Sequence, residues 1–341
     1  TTIRFPGVGP FDERLGYHQL PELIRRLGSQ DFAVAAQVRM PRRMLDYVDA
    51  GLFAPYHEKA QAGLELRDCR GQPLAVMRYP ARTFGRFESV PRVLVDSLLF
   101  IENRDLLDPR SPELNPAIEW DRLGKAVADQ ALHRIDDSHS AGGGSTLATQ
   151  IEKYRHSPEG RTDKASEKLR QIASASLRAY LDGAVTLPRR RQIVVDYLDT
   201  VPLSAKSGFG EVNGIGDGMW AWYGRDFDDV KRLLSTPWTN TEPALAQRRA
   251  LAFKQALSLM VAQRRPSYYL AEGEPALRQL TDNYLRVMAD AGVIPPTLRD
   301  TALPLKLTLQ TRPTAMPVDS FVDRKAVNTV LGRLQTLLEM P

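Results

Sequence analysis

The amino-acid sequence predicts a mainly helical protein with one small β-hairpin near its N-terminal end. Apolar residues recur at helical spacing almost without interruption from Val90 to about Val293. Strand-like alternation is concentrated in a short stretch before that region. The composition, 43% hydrophobic and 26% charged residues with no repeat or low-complexity tract, is typical of a folded globular chain.

The N-terminal part is predicted to combine helices with the hairpin. Helical patterns occur in LPELIRRL and RRMLDYVDAGLF, and Pro41 lies between them. The next stretch, LELRDCRGQPLAVMRYP, alternates around a D-x-x-G turn from Asp68 to Gly71, which predicts a hairpin. We therefore assign residues 1–88 to an N-terminal helical and hairpin extension.

Residues 89–300 are predicted to form the main domain. Its predicted helices are VPRVLVDSLLFIENRDLL, AIEWDRLGKAVADQALHRI, KASEKLRQIASASLRAYLDG, RRRQIVVDYLDTV, ALAQRRALAFKQALSLMVAQ and LRQLTDNYLRVMADAG. The last segment, 301–341, contains one predicted strand in KLTLQTR and then a helix to Leu338. We interpret it as the start of a truncated following region.

The third of these helices carries an apolar stripe that is predicted to be buried. The stripe consists of Leu169, Ile172, Ala173, Ser176, Leu177 and Tyr180. Lys164, Glu167 and Gln171 then fall together on the opposite side, where they face either solvent or a cleft.

Charge, cysteine content and hydropathy narrow the classes of function. The formal net charge is +5, but the basic residues are spread along helical patterns, so nucleic acid is not an expected partner. The single cysteine, Cys69, excludes an internal disulfide and a cysteine zinc cluster, and the five histidines lack metal-ligand spacing. No stretch reaches the about 18 apolar residues of a membrane-spanning helix. Because the chain opens on Thr1, we expect an anchoring segment before it.

The glycine-rich stretch AGGGSTLATQIEKYR is a candidate anion site. Gly143 and Gly144 permit close approach of a ligand, and Ser145 or Thr146 would cap the following helix. A helix start favours an anion, although the spacing is not that of a P-loop, and a simple helix cap is the alternative. The basic residues that follow suit a pyrophosphate better than a single carboxylate, and an exposed basic helix is the alternative interpretation: Lys153, Arg155, Arg161, Lys164 and Lys168.

Glu102 is the candidate general base. It closes the apolar run VLVDSLLFI, so it is predicted to lie at the end of a largely buried helix. A carboxylate with one apolar side can acquire a raised pKa and accept a proton during a reaction. On its own, a Glu at a helix end is more often structural. Ser145, by contrast, lacks the G-x-S-x-G pattern of a nucleophile elbow.

Six motifs follow one another between about Leu64 and Ile294. They are IENRDLL, GGSTLATQIEKY, RTDKASEKLRQ, QIVVDYLDTVPL, GIGDGMWAWYGRDF and RRPSYYL. In this order, and with LRDCRGQPLA before them, they resemble the peptidoglycan glycosyltransferases, glycosyltransferase family 51. That family comprises the polymerising domain of bifunctional penicillin-binding proteins and the monofunctional transglycosylases.

The resemblance implies a lysozyme-like helical domain that polymerises lipid II at the outer, periplasmic face of the bacterial cytoplasmic membrane. In the family's inverting reaction, the acceptor 4-hydroxyl attacks the anomeric carbon of the lipid-linked donor and undecaprenyl pyrophosphate leaves. The implied partners are lipid II, the growing glycan chain, the membrane surface and cell-wall synthesis proteins. The implied cofactor is Mg²⁺ or Mn²⁺ on the pyrophosphate, with no ligands assigned.

The same resemblance assigns roles to individual residues. Glu102 matches the family's general base, and Glu167 is the favoured match for its second acidic residue. The positions assigned to substrate binding are Asn103, Arg104, Gly143, Gly144, Ser145, Thr146, Gln150, Lys153, Arg161, Lys164, Lys168 and Gln171.

The second acidic position depends on the alignment. Aligning Lys168 with the family's Lys places Gln171 there, whereas aligning Lys164 places Glu167 there. We favour Glu167, because a carboxylate can bind a metal or orient a cation and an amide does so poorly. The two candidates lie one helical turn apart and share a face.

Other departures keep alternative functions open. Asn103 replaces the family's Asp, Leu106 its Phe, and Ala148-Thr149 its Thr-Gln. One alternative is a catalytically impaired scaffold that binds lipid II or glycan. The other is a lytic enzyme that cleaves glycan with a single Glu acid, which leaves the glycine-rich and basic motifs unexplained.

Overall fold

The computed structural model describes residues 9–36, 39–118, 145–162, 164–236, 238, 242–311 and 321–338. Within these residues helices dominate, and β-structure is limited to two antiparallel two-stranded pairs. The predicted mainly helical fold is confirmed. The helices are α1 (Pro10–Arg14), α2 (Leu20–Gly28), α3 (Arg42–Asp49), α4 (Arg92–Glu102), α5 (Leu147–His156), α6 (Ala165–Ala179), α7 (Leu187–Thr200), α8 (Gly214–Tyr223), α9 (Phe227–Ser235), α10 (Pro243–Ala262), α11 (Pro266–Tyr269), α12 (Glu274–Asp290), α13 (Pro296–Ala302) and α14 (Phe321–Leu338).

The chain packs as two compact units. One contains the described residues of 1–81, 152–174 and 315–341, and the other those of 82–151 and 175–314. Helices α5 and α6 each begin in one unit and end in the other. The domain boundaries proposed from the sequence stay a prediction.

The predicted hairpin is present in the first unit. Strands β1 (Ala62–Arg67) and β2 (Pro73–Tyr79) pair antiparallel. The Asp68 carboxylate accepts hydrogen bonds from the backbone N–H groups of Arg70 and Gln72, at 2.8 Å each. Gly71 adopts a φ of 76°, which favours glycine, so the D-x-x-G pattern fixes the turn as expected.

Helix α10 forms the centre of the second unit. It packs against α4, α8, α9, α12 and α13, and nearly every residue in its C-terminal two thirds is buried. Its apolar residues are not confined to one face, and its buried polar side chains, including Arg249, Lys254 and Ser258, are hydrogen-bonded, so the helix can lie at the centre. No described helix is long and apolar enough to span a membrane.

One buried cation in α10 is fully compensated. The Lys254 ammonium donates to the backbone carbonyls of Ala302, Leu303 and Leu305 at 2.7–3.0 Å. It also lies 2.8 Å from an Asp282 carboxylate oxygen. These partners replace the water that burial removes, and they tie α10 to the end of α13.

The predicted strand content was wrong at two places. The region from Val90 to Val293 was predicted to be almost wholly helical, but β3 (Pro202–Lys206) and β4 (Gly210–Asn213) form a second hairpin within it. The predicted strand in KLTLQTR is irregular, and its Gln310 backbone N–H donates to the Trp222 carbonyl at 2.7 Å. Alternation indicates an extended backbone, but a strand also requires a pairing partner. The helix predicted in AIEWDRLGKAVADQALHRI lies almost entirely outside the described residues.

The predicted buried stripe of α6 was also wrong. Leu169 and Tyr180 are exposed, at 67% and 37%. The residues that are buried on α6 are Gln171, Ser174, Ala175, Arg178 and Ala179. Polar side chains occupy this face because hydrogen bonds satisfy them, and apolar periodicity cannot detect such a face.

Candidate active site

Glu102 is the last residue of α4, as the sequence predicted. The apolar side chains of Leu94, Val95 and Leu98 bury the helix, and Glu102 itself is only 8% exposed. The backbone N–H of Asn103 donates to the Leu99 carbonyl at 2.9 Å and closes the last turn. The chain therefore holds a carboxylate at a buried helix end.

Two amide side chains hold this carboxylate, one at each oxygen. Gln150 Nε2 donates to Glu102 Oε2 at 2.8 Å, and Gln263 Nε2 donates to Oε1 at 3.0 Å. The Tyr197 hydroxyl donates to the Gln150 side-chain oxygen at 3.5 Å. A donor at each oxygen orients the Glu102 carboxylate.

The first turn of α5 is fixed by a reciprocal pair of threonines. The Thr149 N–H donates to Thr146 Oγ1 at 3.3 Å, and the Thr146 N–H donates to Thr149 Oγ1 at 2.9 Å. This arrangement satisfies two helix-start N–H groups in the manner of a capping box. Thr146 is therefore the cap, as one of the two predicted candidates, and Thr149 has a structural role. The residue after Thr149 is Gln150, which donates to Glu102, so the capped first turn also fixes the position of this donor.

Gly143 and Gly144 lie outside the described residues, so their predicted contact with an anion stays a prediction. Ser145 is described and is half-buried. Its predicted role in substrate binding also stays a prediction.

Lys153 and Lys168 lie close enough to interact electrostatically. Burial lowers the pKa of Lys168, and the positive charge of Lys153 lowers it further. Arg161 and Lys164 are exposed in the turn before α6. The predicted roles of these four cations in substrate binding stay predictions.

Glu167 and Gln171 meet at one hydroxyl group. Ser157 Oγ donates to Glu167 Oε1 at 2.7 Å and accepts from Gln171 Nε2 at 2.9 Å. Gln171 Nε2 also donates to Thr162 Oγ1 at 2.7 Å. Both candidates for the second acidic position therefore belong to one hydrogen-bonded group, in which Gln171 is the more deeply buried.

Asn103 and Arg104, which were also predicted to bind substrate, differ in exposure. Asn103 is buried and follows the last residue of α4. The Arg104 guanidinium is exposed and lies 4.4 Å from the centre of the Phe100 ring. Their roles in substrate binding stay predictions.

The described residues do not fit a metal ion held by protein side chains alone. Within them, no group of three His, Cys, Asp or Glu side chains is arranged to hold one. Glu167, the carboxylate that was favoured for a metal or cation, accepts from Ser157 and pairs with Arg170 at 3.4 Å.

Gln263 is the site residue that the sequence analysis missed. It follows α10 and ends its apolar run in the same way that Glu102 ends that of α4. The sequence signal that could have identified Gln263 is a polar residue directly after the apolar run of a second predicted helix.

Comparison with known proteins gives one match. The family model described as Transglycosylase matches residues 70–289, which is more than half of the chain. Comparison with curated proteins gives no significant match.

Proposed function

We propose a function that follows from family membership: the chain belongs to the transglycosylase family, glycosyltransferase family 51. Domains of this family polymerise the glycan strands of peptidoglycan. We propose that this chain takes lipid II as its substrate and releases undecaprenyl pyrophosphate with inversion. The observation that carries the proposal is the buried Glu102 carboxylate, which is held at both oxygens by Gln150 and Gln263.

Glu102 is the proposed general base. It takes the proton of the acceptor 4-hydroxyl while the new bond forms between that oxygen and the anomeric carbon of the donor. The bond from the anomeric carbon to the pyrophosphate breaks, and its electrons leave with the pyrophosphate. A direct displacement of this kind requires a base for the nucleophile and positive charge for the leaving group.

The leaving pyrophosphate is proposed to be neutralised by Lys153, Arg161, Lys164 and Lys168. The electrostatic coupling of Lys153 with Lys168 supports this assignment. The glycine-rich loop with Ser145 is proposed to contact the same substrate. The support for that role is the match of this loop to the family's glycine-rich motif, because Thr146 and Thr149 already satisfy two of the N–H groups at the start of α5.

Lipid II is polymerised outside the cytoplasm, so we propose that the chain acts at the outer, periplasmic face of the cytoplasmic membrane. The proposed partners are lipid II, the growing glycan chain, the membrane surface and other cell-wall synthesis proteins.

The test is polymerisation of purified lipid II by the full chain in detergent, with Mg²⁺, with Mn²⁺ and with chelator. The expected product is glycan strands, resolved by electrophoresis. The chelator arm measures whether a divalent cation is required. Binding of lipid II without turnover would instead support the scaffold, which Thr149 and the buried Gln171 favour. Release of soluble muropeptides from sacculi would support a lytic enzyme.

Replacing Gln263 by Leu is expected to lower kcat roughly ten- to hundredfold, because the side chain keeps its approximate volume while Glu102 loses one orienting donor. The measurement is steady-state polymerisation with a melting curve for each variant. Gln192→Leu is a matched control, since Gln192 Nε2 donates to the Asp196 carboxylate at 2.7 Å away from Glu102. A folded Gln263→Leu variant with wild-type kcat would contradict the orienting role.

Glu167→Gln is expected to lower kcat roughly a hundredfold, because it keeps an acceptor for the Ser157 hydroxyl and removes the negative charge. Glu159→Gln, an exposed change in the turn before α6, is the control and should retain activity. The alternative alignment makes the opposite prediction. If Gln171→Glu raises kcat and Glu167→Gln is neutral, Gln171 occupies the family's acidic position.

A further inference from the structure

A buried ionic cluster lies at the C-terminal end of α5, directly before Ser157, and includes residues that precede the family match. The Glu58 carboxylate accepts from Arg155 Nη1 at 2.8 Å and contacts His156 Nε2. On the other side of the imidazole, His156 Nδ1 lies 3.5 Å from an Asp12 oxygen. We name these four residues, Asp12, Glu58, Arg155 and His156, the clasp. All four side chains are nine-tenths or more buried.

The N-terminal segment touches the end of α5 directly. A Cβ atom added at Gly9 would lie 2.9 Å from the Arg155 carbonyl oxygen and from the His156 Cα. The Phe11 and Phe53 rings contact His156, with centroid distances of 6.1 and 5.3 Å. The clasp is therefore enclosed by apolar side chains and by a close backbone approach, which limits how far α5 can shift.

The residue after the clasp is Ser157, whose hydroxyl joins Glu167 and Gln171. The Ser157 backbone N–H still donates to the Lys153 carbonyl at 3.2 Å, so Ser157 moves with the end of α5. Beyond it, Glu159 has a φ of 53°, an unfavourable conformation for a residue with a Cβ atom. The hydrogen bonds of Ser157 with Glu167 and Gln171 therefore help to hold the turn from Ser157 to Glu159 in this conformation.

We propose that Glu58 is a positioning residue for glycosyl transfer: it fixes the end of α5 and so places the Ser157 hydroxyl that orients Glu167 and Gln171. This inference rests on the proposed function. It makes the segment before the family-matched region part of the catalytic apparatus of this chain. Glu58 acts through Arg155 and His156 and does not touch the substrate.

The charge of Glu58 is essential to this role. Asp12, Glu58 and Glu152 face the two cations Arg155 and His156 in a buried environment. Glu58 contacts both cations. A neutral side chain of the same size would leave Arg155 and His156 undercompensated, and the end of α5 would lose its anchor.

The test compares full-length Glu58→Gln with the wild type and with Glu22→Gln. Glu22 is a matched control, because its carboxylate also bonds to two arginines in the N-terminal segment but its side chain is 46% exposed. For Glu58→Gln we expect kcat to fall roughly ten- to hundredfold with KM changed less than about threefold. Amide hydrogen exchange should rise in residues 157–168, and Glu58→Asp should recover part of the activity.

The outcomes separate this inference from the proposed function. An active wild type together with a folded Glu58→Gln variant that has unchanged kcat and unchanged exchange in residues 157–168 would overturn the positioning role alone. A loss of kcat that merely follows the unfolded fraction at assay temperature would also overturn it. A wild type that binds lipid II without polymerising it would overturn the proposed function, and the catalytic role of Glu58 with it.

Discussion

A Glu102→Gln variant is expected to polymerise lipid II roughly 10²- to 10⁴-fold more slowly than the wild type. The amide has nearly the size of the carboxylate but cannot accept the proton of the acceptor hydroxyl. Lipid II binding should be retained, since the positive residues proposed to hold the pyrophosphate are unchanged. The measurement is the single-turnover rate of glycan formation at saturating enzyme.

A matched control separates this chemical effect from a structural one. Glu88 is an exposed carboxylate shortly before α4, and Glu88→Gln should keep wild-type activity. Glu102→Gln keeps one acceptor oxygen, for either Gln150 or Gln263, and turns the other position into a donor, so a melting curve must show that the variant is folded before its rate is compared. A folded Glu102→Gln variant that polymerises at the wild-type rate would show that Glu102 is not the base.

Sequence patterns located most of the helices and the buried helix end at Glu102, because both depend on local apolar spacing. The run VLVDSLLFI made Glu102 a candidate and the family resemblance assigned it the role of base, while the structure confirms only that it lies at a buried helix end. The cap at Thr146 was predictable for the same reason, since its partner is three residues away. Features of this kind depend on residues that are close in sequence, so the spacing of apolar and polar residues predicts them.

Apolar spacing could not predict contacts between residues far apart in sequence or faces buried by polar side chains. The Glu58 contact with His156 joins residues 98 positions apart, and no periodicity connects them. His156 was set aside because the histidines lack metal-ligand spacing, yet its partners are two carboxylates. The buried face of α6 was missed because Gln171 and Ser174 are polar and are satisfied by hydrogen bonds. The second hairpin had a weak local signal in its glycines, Gly208 and Gly210, both with positive φ.

The second large effect concerns His156 and pH. Burial by itself lowers the pKa of His156, but Glu58, Asp12 and Glu152 oppose burial and raise the pKa from 6.5 to about 9. The other charged neighbour is Arg155, which pairs with Glu58. Because the folded pKa lies above the unfolded one, the stabilisation is fully present below about pH 6.5 and is lost as pH rises through about 9. The total loss is about 3 kcal/mol.

His156→Gln isolates this contribution. Glutamine is neutral at every pH, so the variant should be less stable than the wild type by about 3 kcal/mol below pH 6.5 and should converge with it above about pH 9. Scanning calorimetry from pH 6 to pH 10 measures the difference. His18→Gln, an exposed change in the same N-terminal segment, should follow the wild-type curve. In Glu58→Gln the loss should move to lower pH, because the strongest of the opposing charges is removed. A gap between wild type and His156→Gln that is equal at pH 6 and pH 10 would mean that His156 is not a buried cation.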